Sequence, residues 1–223
     1  MYDLKNIDGI VFDMDGVIFD TEALCMRCWC KVGERHGLEN VEHYIRLCIG
    51  RSDKDTERII TEAYGDKYDI GMLRKEAAQA VQDAFKNEGI PLKDGAREVL
   101  EWLHESGVKV GLASSTKYDT VVKEMTEVGL IHCFDKIIGG DMVENSKPEP
   151  DIYLIACDKL GVDPKNTLAI EDSRNGIISA SAAGMIPVLI PDLIEPDELM
   201  LEKSHVKLNR LMEFKDKMLS TGI

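Results

Sequence analysis

An α/β fold with a parallel sheet, helices on both faces and a helical lobe inserted after the first strand follows from two patterns. Short apolar runs bounded by Gly, Asp, Ser or Pro alternate with segments of helical apolar spacing, and one long stretch between the first two runs is helical throughout. The first run, Ile10 to Phe12, ends in Asp13-Met14-Asp15-Gly16. Later runs are Val108 to Ala113, Ile137 to Ile138, Leu168 to Ile170 and Pro187 to Ile190. Between them Ala96, Val99, Leu100 and Leu103 keep helical spacing before Gly107; Val121, Val122, Met125 and Val128 do so before Gly129, and Ile177, Ile178 and Ala182 before Gly184. Such βαβ alternation predicts right-handed crossovers.

The inserted stretch runs from Asp20 to near Glu88. Its stripes are Leu24, Cys25, Cys28, Trp29 and Val32; Ile59, Ile60, Ala63 and Tyr64; and Leu73, Ala77, Val81, Ala84 and Phe85. Gly16 to Thr21 and Asn87 to Pro91 are the expected connections, the second punctuated by Gly89 and Pro91. The tail after Pro191 carries a helical pattern through Leu208, Leu211, Met212 and Met218.

Composition narrows the function. A chain of 223 residues, 44% hydrophobic, can form a core plus a smaller lobe. Its formal net charge of -14 argues against nucleic acid or an anionic membrane as partner, since phosphate-backbone affinity needs clustered Lys and Arg. No run approaches about 18 apolar residues, and Met1 to Asn6 has no leader pattern, so a soluble, cytoplasmic protein is expected. Cys25, Cys28 and Cys30 form C-x-x-C-x-C, but no second ligand pair at zinc spacing accompanies them, and free thiols are expected.

The chemistry gathers at the ends of the apolar runs. Asp13 and Asp15 emerge on one side of extended chain, roughly 6 to 7 Å between alpha carbons. Two ionised carboxylates so close need a cation between them or beside them. Ser114-Ser115-Thr116 ends the second run, Ser146-Lys147-Pro148 comes next as a further polar stretch of this kind, and Glu171-Asp172-Ser173 ends the fourth run. Hydroxyls, loop amides, one lysine and a second carboxylate pair are what phosphoryl transfer requires.

In this order the segments resemble the four motifs of the haloacid dehalogenase superfamily, nearest to the branch of beta-phosphoglucomutase and sugar-phosphate phosphatases. The matching residues are Asp13 and Asp15 in D-x-D-G-V, Ser114 at a strand end, Lys147 in K-P, and Glu171 and Asp172 in E-D-S. The resemblance implies a Rossmann-like parallel sheet core with helices on both faces, residues 1–17 and 91–223, and an inserted all-helical cap domain, residues 18–90. It implies a Mg2+-dependent phosphatase of small phosphate esters, with Asp13 as nucleophile and Asp15 as acid and base. Ser114, Ser115 and Lys147 would hold the phosphoryl oxygens. Asp13, the backbone carbonyl of Asp15, Asp172 and, directly or through water, Glu171 would hold the metal. Ser173 and Gly176 would serve the local helix start.

A dehalogenase has no alkoxide to protonate, so the presence of Asp15 favours a phosphate ester. Beta-phosphoglucomutases add a cap histidine and a cap arginine; here Cys25 stands where that histidine would align, and the turn Gly50-Arg51-Ser52-Asp53 carries its arginine out of register. A phosphatase is therefore expected before a phosphomutase, with Arg51 and Lys75 as candidate substrate contacts in the cap. A non-catalytic phosphosugar-binding protein is the third alternative. The expected partner is a small phosphorylated metabolite, and a monomer is compatible with every feature.

Overall fold

The computed structural model describes residues 7–49, 51 and 53–220. Among them the strands are β1 (Gly9–Phe12), β2 (Lys109–Ala113), β3 (Lys136–Ile138), β4 (Thr167–Glu171), β5 (Ile186–Leu189) and β6 (Val206–Lys207). Helices α1 (Thr21–His36), α2 (Val41–Cys48), α3 (Asp53–Tyr64) and α4 (Ile70–Glu88) follow β1. The others are α5 (Ala96–Ser106), α6 (Tyr118–Glu127), α7 (Asp151–Leu160), α8 (Arg174–Ala182), α9 (Glu198–Lys203) and α10 (Leu211–Ser220).

The strands form one parallel sheet in the order β3-β2-β1-β4-β5-β6. From β1 the chain steps outward through β2 to β3, then returns to lay β4 on the other side of β1. That reversal leaves a crevice at the carboxyl ends of β1 and β4, where open α/β sheets bind their ligands. The register sets Phe12 level with Leu112 and Ile170, so Asp13, Ala113 and Glu171 emerge at one height.

Both faces are covered, because successive side chains alternate across the sheet. Val11, Ala113, Ile138 and Ala169 share one apolar cluster with Ile152, Tyr153, Ala156, Cys157 and Leu160 of α7 and Ala180 of α8. Phe12 meets the edge of Phe214 from α10, ring centroids 6.4 Å apart and planes at 87°. The sheet and its helical layers therefore have the predicted α/β class.

The chain divides into two compact units, one from the residues through Phe19 and from Leu92 on, the other Asp20–Pro91. In the second, all-helical unit the buried side chains include Leu24, Cys28, Trp29 and Val32 from α1, Ile60 and Tyr64 from α3, and Leu73, Ala77 and Phe85 from α4. These lie on the predicted stripes. Helix α2 was not among the expected elements; its buried residues are Val41 and Ile45. Cys25 and Val81 are half-buried. Helix α7 and the two-residue β6 are likewise additions to the sequence expectation, and Leu208, expected in the tail helix, precedes it and donates its N–H to Leu189 O. None of the six cysteines is in a disulfide, and no described helix is long and apolar enough to cross a membrane.

Candidate active site

Asp13 continues β1 by donating its N–H to Ile170 O at 3.0 Å, which sets its side chain at the crevice. Behind it the chain reverses tightly: Ile18 and Phe19 N–H both donate to Met14 O, and Gly16 takes φ 81°. A Cβ at Gly16 would overlap the Asp172 carboxylate, so glycine there serves both the turn and the approach of Asp172.

Lys147 reaches the same point from the loop before α7. Its Nζ donates to Asp13 Oδ1 at 2.5 Å, Glu171 Oε1 at 2.7 Å and Ala113 O at 3.1 Å, which occupies all three ammonium protons. Burial disfavours the ammonium charge, but Asp13 and Glu171 outweigh it and hold the Lys147 pKa above its ordinary value. Glu171, fully buried, is held on every side. Its Oε1 accepts from Lys147 and from the Tyr153 hydroxyl, each at 2.7 Å. Its Oε2 accepts from the N–H groups of Asp172 and Ser173 and from Ser173 Oγ.

Ser173 also caps α8, its Oγ accepting from Gly176 N–H at 3.1 Å, as a helix-start serine should. Gly176 has a further reason. A Cβ at that position would overlap the Glu171 carboxylate. Gly to Ala inside a helix ordinarily stabilises by about 1 kcal/mol. Here the expected sign is reversed: Gly176→Ala should lower stability by roughly 1–3 kcal/mol through overpacking, read as a fall in melting temperature. An unchanged or raised melting temperature would contradict this packing.

On the β2 side Ser114 is buried and its Oγ accepts from Thr116 N–H at 3.0 Å, while Ser115 is exposed at the loop. Thr116 Oγ1 lies 3.2 Å from Asp15 Oδ2, in position to donate to it. Glu124 of α6 is pushed up to about 7 by burial and then by the nearby Asp15 charge. Sequence reasoning named Asp13, Asp15, Ser114, Ser115, Lys147, Glu171 and Asp172, and the core unit brings them to one sheet edge. It gave no role to Tyr153 or to Thr116. Arg51 and Lys75 belong to the helical unit, where both are exposed; Gly50 and Ser52 of the same turn lie outside the described residues.

Carboxylate oxygens of Asp13, Glu171 and Asp172, all buried, lie within 4.8 Å of one another. One lysine does not neutralise them. Burial, opposed by Lys147 and reinforced by Glu171 and Asp15, pushes the Asp13 carboxyl up to about 8. The surplus negative charge and the all-oxygen donor set fit a hard divalent cation.

The family model for haloacid dehalogenase-like hydrolases matches residues 10–190, which spans every element of this site. The chain belongs to that family. Within this hydrolase family it is 31% identical over 179 residues to a phosphorylated carbohydrates phosphatase of Thermotoga maritima, covering 80% of this chain and 82% of the relative. It is 32% identical over 182 residues to a fructose-1-phosphate phosphatase of Escherichia coli K12, covering 79% and 93%. Among solved structures it resembles a Thermotoga maritima protein assigned as a beta-phosphoglucomutase, with TM-score 0.79, 27% identity, and 96% and 99% of the two chains covered. The haloacid dehalogenase-like fold thus extends over almost the whole chain, in the branch that joins sugar-phosphate phosphatases with beta-phosphoglucomutase-like structures.

Proposed function

We propose that this hydrolase is a Mg2+-dependent phosphatase of small phosphate esters, sugar phosphates foremost, working in the cytoplasm through a phosphorylated Asp13. The observation that carries the reading is the pairing of Asp13 with Lys147 at the crevice, with Asp15 close by and within reach of the Thr116 hydroxyl. Lys147 on Oδ1 fixes the rotation of the Asp13 carboxylate, so a second oxygen can be aimed at phosphorus in line with the leaving group. The new bond is Asp13 O–P, and the bond that breaks joins phosphorus to the ester oxygen. Asp15 gives that oxygen its proton, and the product alcohol leaves. In the second half Asp15 takes a proton from water as the water oxygen attacks phosphorus, which returns the Asp13 carboxylate and inorganic phosphate. Ser114 Oγ and the Ser115 N–H stand at the β2 edge to hold the nonbridging oxygens. Asp13 and Asp172, with the Asp15 carbonyl, would hold the cation, which when bound offsets the charge of the phosphoryl oxygens.

Glu171 fits a supporting place better than a direct ligand position. Five donors already fill its two oxygens, whereas a carboxylate offers about four lone-pair sites.

The relatives named as carbohydrate-phosphate phosphatases support sugar phosphates as the substrate class. A phosphomutase is the second reading, favoured by the beta-phosphoglucomutase-like fold and opposed by Cys25 in the place of the cap histidine. The test is a panel of sugar and hexitol phosphates with Mg2+, including fructose 1-phosphate and beta-glucose 1-phosphate, following phosphate and glucose 6-phosphate together. Phosphate release that disappears in Asp13→Asn supports the phosphatase. Glucose 6-phosphate with little free phosphate replaces it by the mutase, and no product from any ester with the wild-type protein rejects both.

A further inference from the structure

The mechanism above leaves one polar group of the buried centre without a task. Tyr153, in the first turn of α7, is fully buried, and its ring packs in the cluster with Val11, Ala113 and Ala169. Packing alone would be met by phenylalanine, which needs no partner for a buried hydroxyl. The hydroxyl here is placed with purpose: it donates to Glu171 Oε1 at 2.7 Å and lies 3.4 Å from Lys147 Nζ, while the ring centroid sits 4.9 Å from the same ammonium. Such a position lets the ring face attract the cation as the hydroxyl serves the anion.

Two carboxylates compete for Lys147, Asp13 at 2.5 Å and Glu171 at 2.7 Å. Glu171 Oε2 is already served by three donors, but Oε1 has two, Lys147 and Tyr153. Without the hydroxyl, Oε1 would depend on Lys147 alone, and the ammonium would be drawn toward Glu171 and away from the nucleophile. Buried networks of this kind respond as a unit, because each member polarises the next. We propose that Tyr153 is a positioning residue: its hydroxyl, by satisfying Glu171 Oε1, sets how Lys147 is shared between Glu171 and Asp13, and so holds Asp13 in its attacking orientation. The catalytic consequence rests on the phosphatase reading; the placement of Lys147 does not.

Tyr153→Phe removes the hydroxyl and keeps the ring. With p-nitrophenyl phosphate and Mg2+, kcat should fall about 10-fold while KM stays within about twofold, the size expected for one hydrogen bond to a charged network. A merely structural tyrosine would change the melting temperature and leave this kcat and KM split unmoved. The second readout needs no turnover. Lys147 is the buried lysine among the described residues, so in protein labelled with 15N-lysine its ammonium is recognised as the slowly exchanging signal. That signal should shift and exchange faster in Tyr153→Phe. A wild-type kcat, a loss of activity carried by KM, an unmoved ammonium signal, or no slowly exchanging ammonium in the wild type would each overturn the proposal. If the wild type releases no p-nitrophenol, the phosphatase reading fails for that ester, and the ammonium spectrum alone decides the role of Tyr153.

Discussion

Asp13→Asn should abolish phosphate release, by roughly 10^4 or more as for loss of other enzymic nucleophiles, and at the same time stabilise the metal-free protein at neutral pH. The first half follows because an amide neither attacks phosphorus nor leaves as a carboxylate. The second follows from the charge balance of the crevice. Burial is the main cause that lifts the Asp13 carboxyl to about 8; Lys147 opposes it, and Glu171 and Asp15 add to it. A carboxyl with a folded pKa above its unfolded value binds more protons in the folded state between those values. Its contribution to stability is therefore complete below the unfolded value near 3.8 and is lost as pH rises toward about 8. Asparagine keeps the shape and an oxygen for Lys147 but carries no charge to bury. In EDTA, the melting temperature of the wild type should fall from pH 5 to pH 8 relative to that of Asp13→Asn. Mg2+ should narrow the gap, more at pH 8 than at pH 5, because the cation and the proton compete for the Asp13 carboxylate. A variant that melts below the wild type at both pH values would contradict this account of the site.

The parts legible from sequence are those whose cause is local. Short apolar runs bounded by Gly, Asp, Ser or Pro located β1 to β5, and residues at the ends of β1, β2 and β4 form the crevice because a parallel sheet delivers all its carboxyl termini to one edge. Helix α2 escaped because it buries Val41 and Ile45, a single pair four apart, too little for a stripe. Helix α7 escaped for the opposite reason. Ile152, Tyr153, Ala156, Cys157 and Leu160 are buried, and Leu154 and Ile155 close the gap between them into one unbroken apolar run from Ile152 to Cys157, which masks the helical period. Strand β6 has two residues, too few for a pattern.

The same distinction governs the site. Lys147 could be found from its place in a motif, whereas Tyr153, six positions on, gains a task only when the fold brings Glu171 to its hydroxyl. Thr116 gains its meaning from Asp15, 101 positions away in the chain. Gly176 reads as part of a helix start, and only the packed structure shows that its missing side chain makes room for the Glu171 carboxylate.

Lys147→Met should be the most damaging change to the fold of the core unit. Methionine matches the stem of lysine and removes the one ammonium bound by both Asp13 and Glu171. Breaking a buried ion pair by deleting one partner typically costs about 3–5 kcal/mol, since the charge left behind remains buried without compensation. For a chain of this size that corresponds to a fall in melting temperature on the order of 10 °C. The loss should depend on pH in a definite direction. As pH falls the stranded Asp13 carboxyl, whose pKa burial raises, takes up a proton and becomes neutral, so the deficit against the wild type should be smaller at pH 5 than at pH 8. The double variant Asp13→Asn with Lys147→Met should recover more stability than Asp13→Asn gains on its own, because the first change removes one of the charges that the second leaves unpaired. Thermal melts of the wild type and three variants at both pH values form a complete cycle. Additive effects in that cycle, with no dependence on pH, would mean that Lys147 acts as packing and that the ion pair at the crevice is not what holds Asp13 in place.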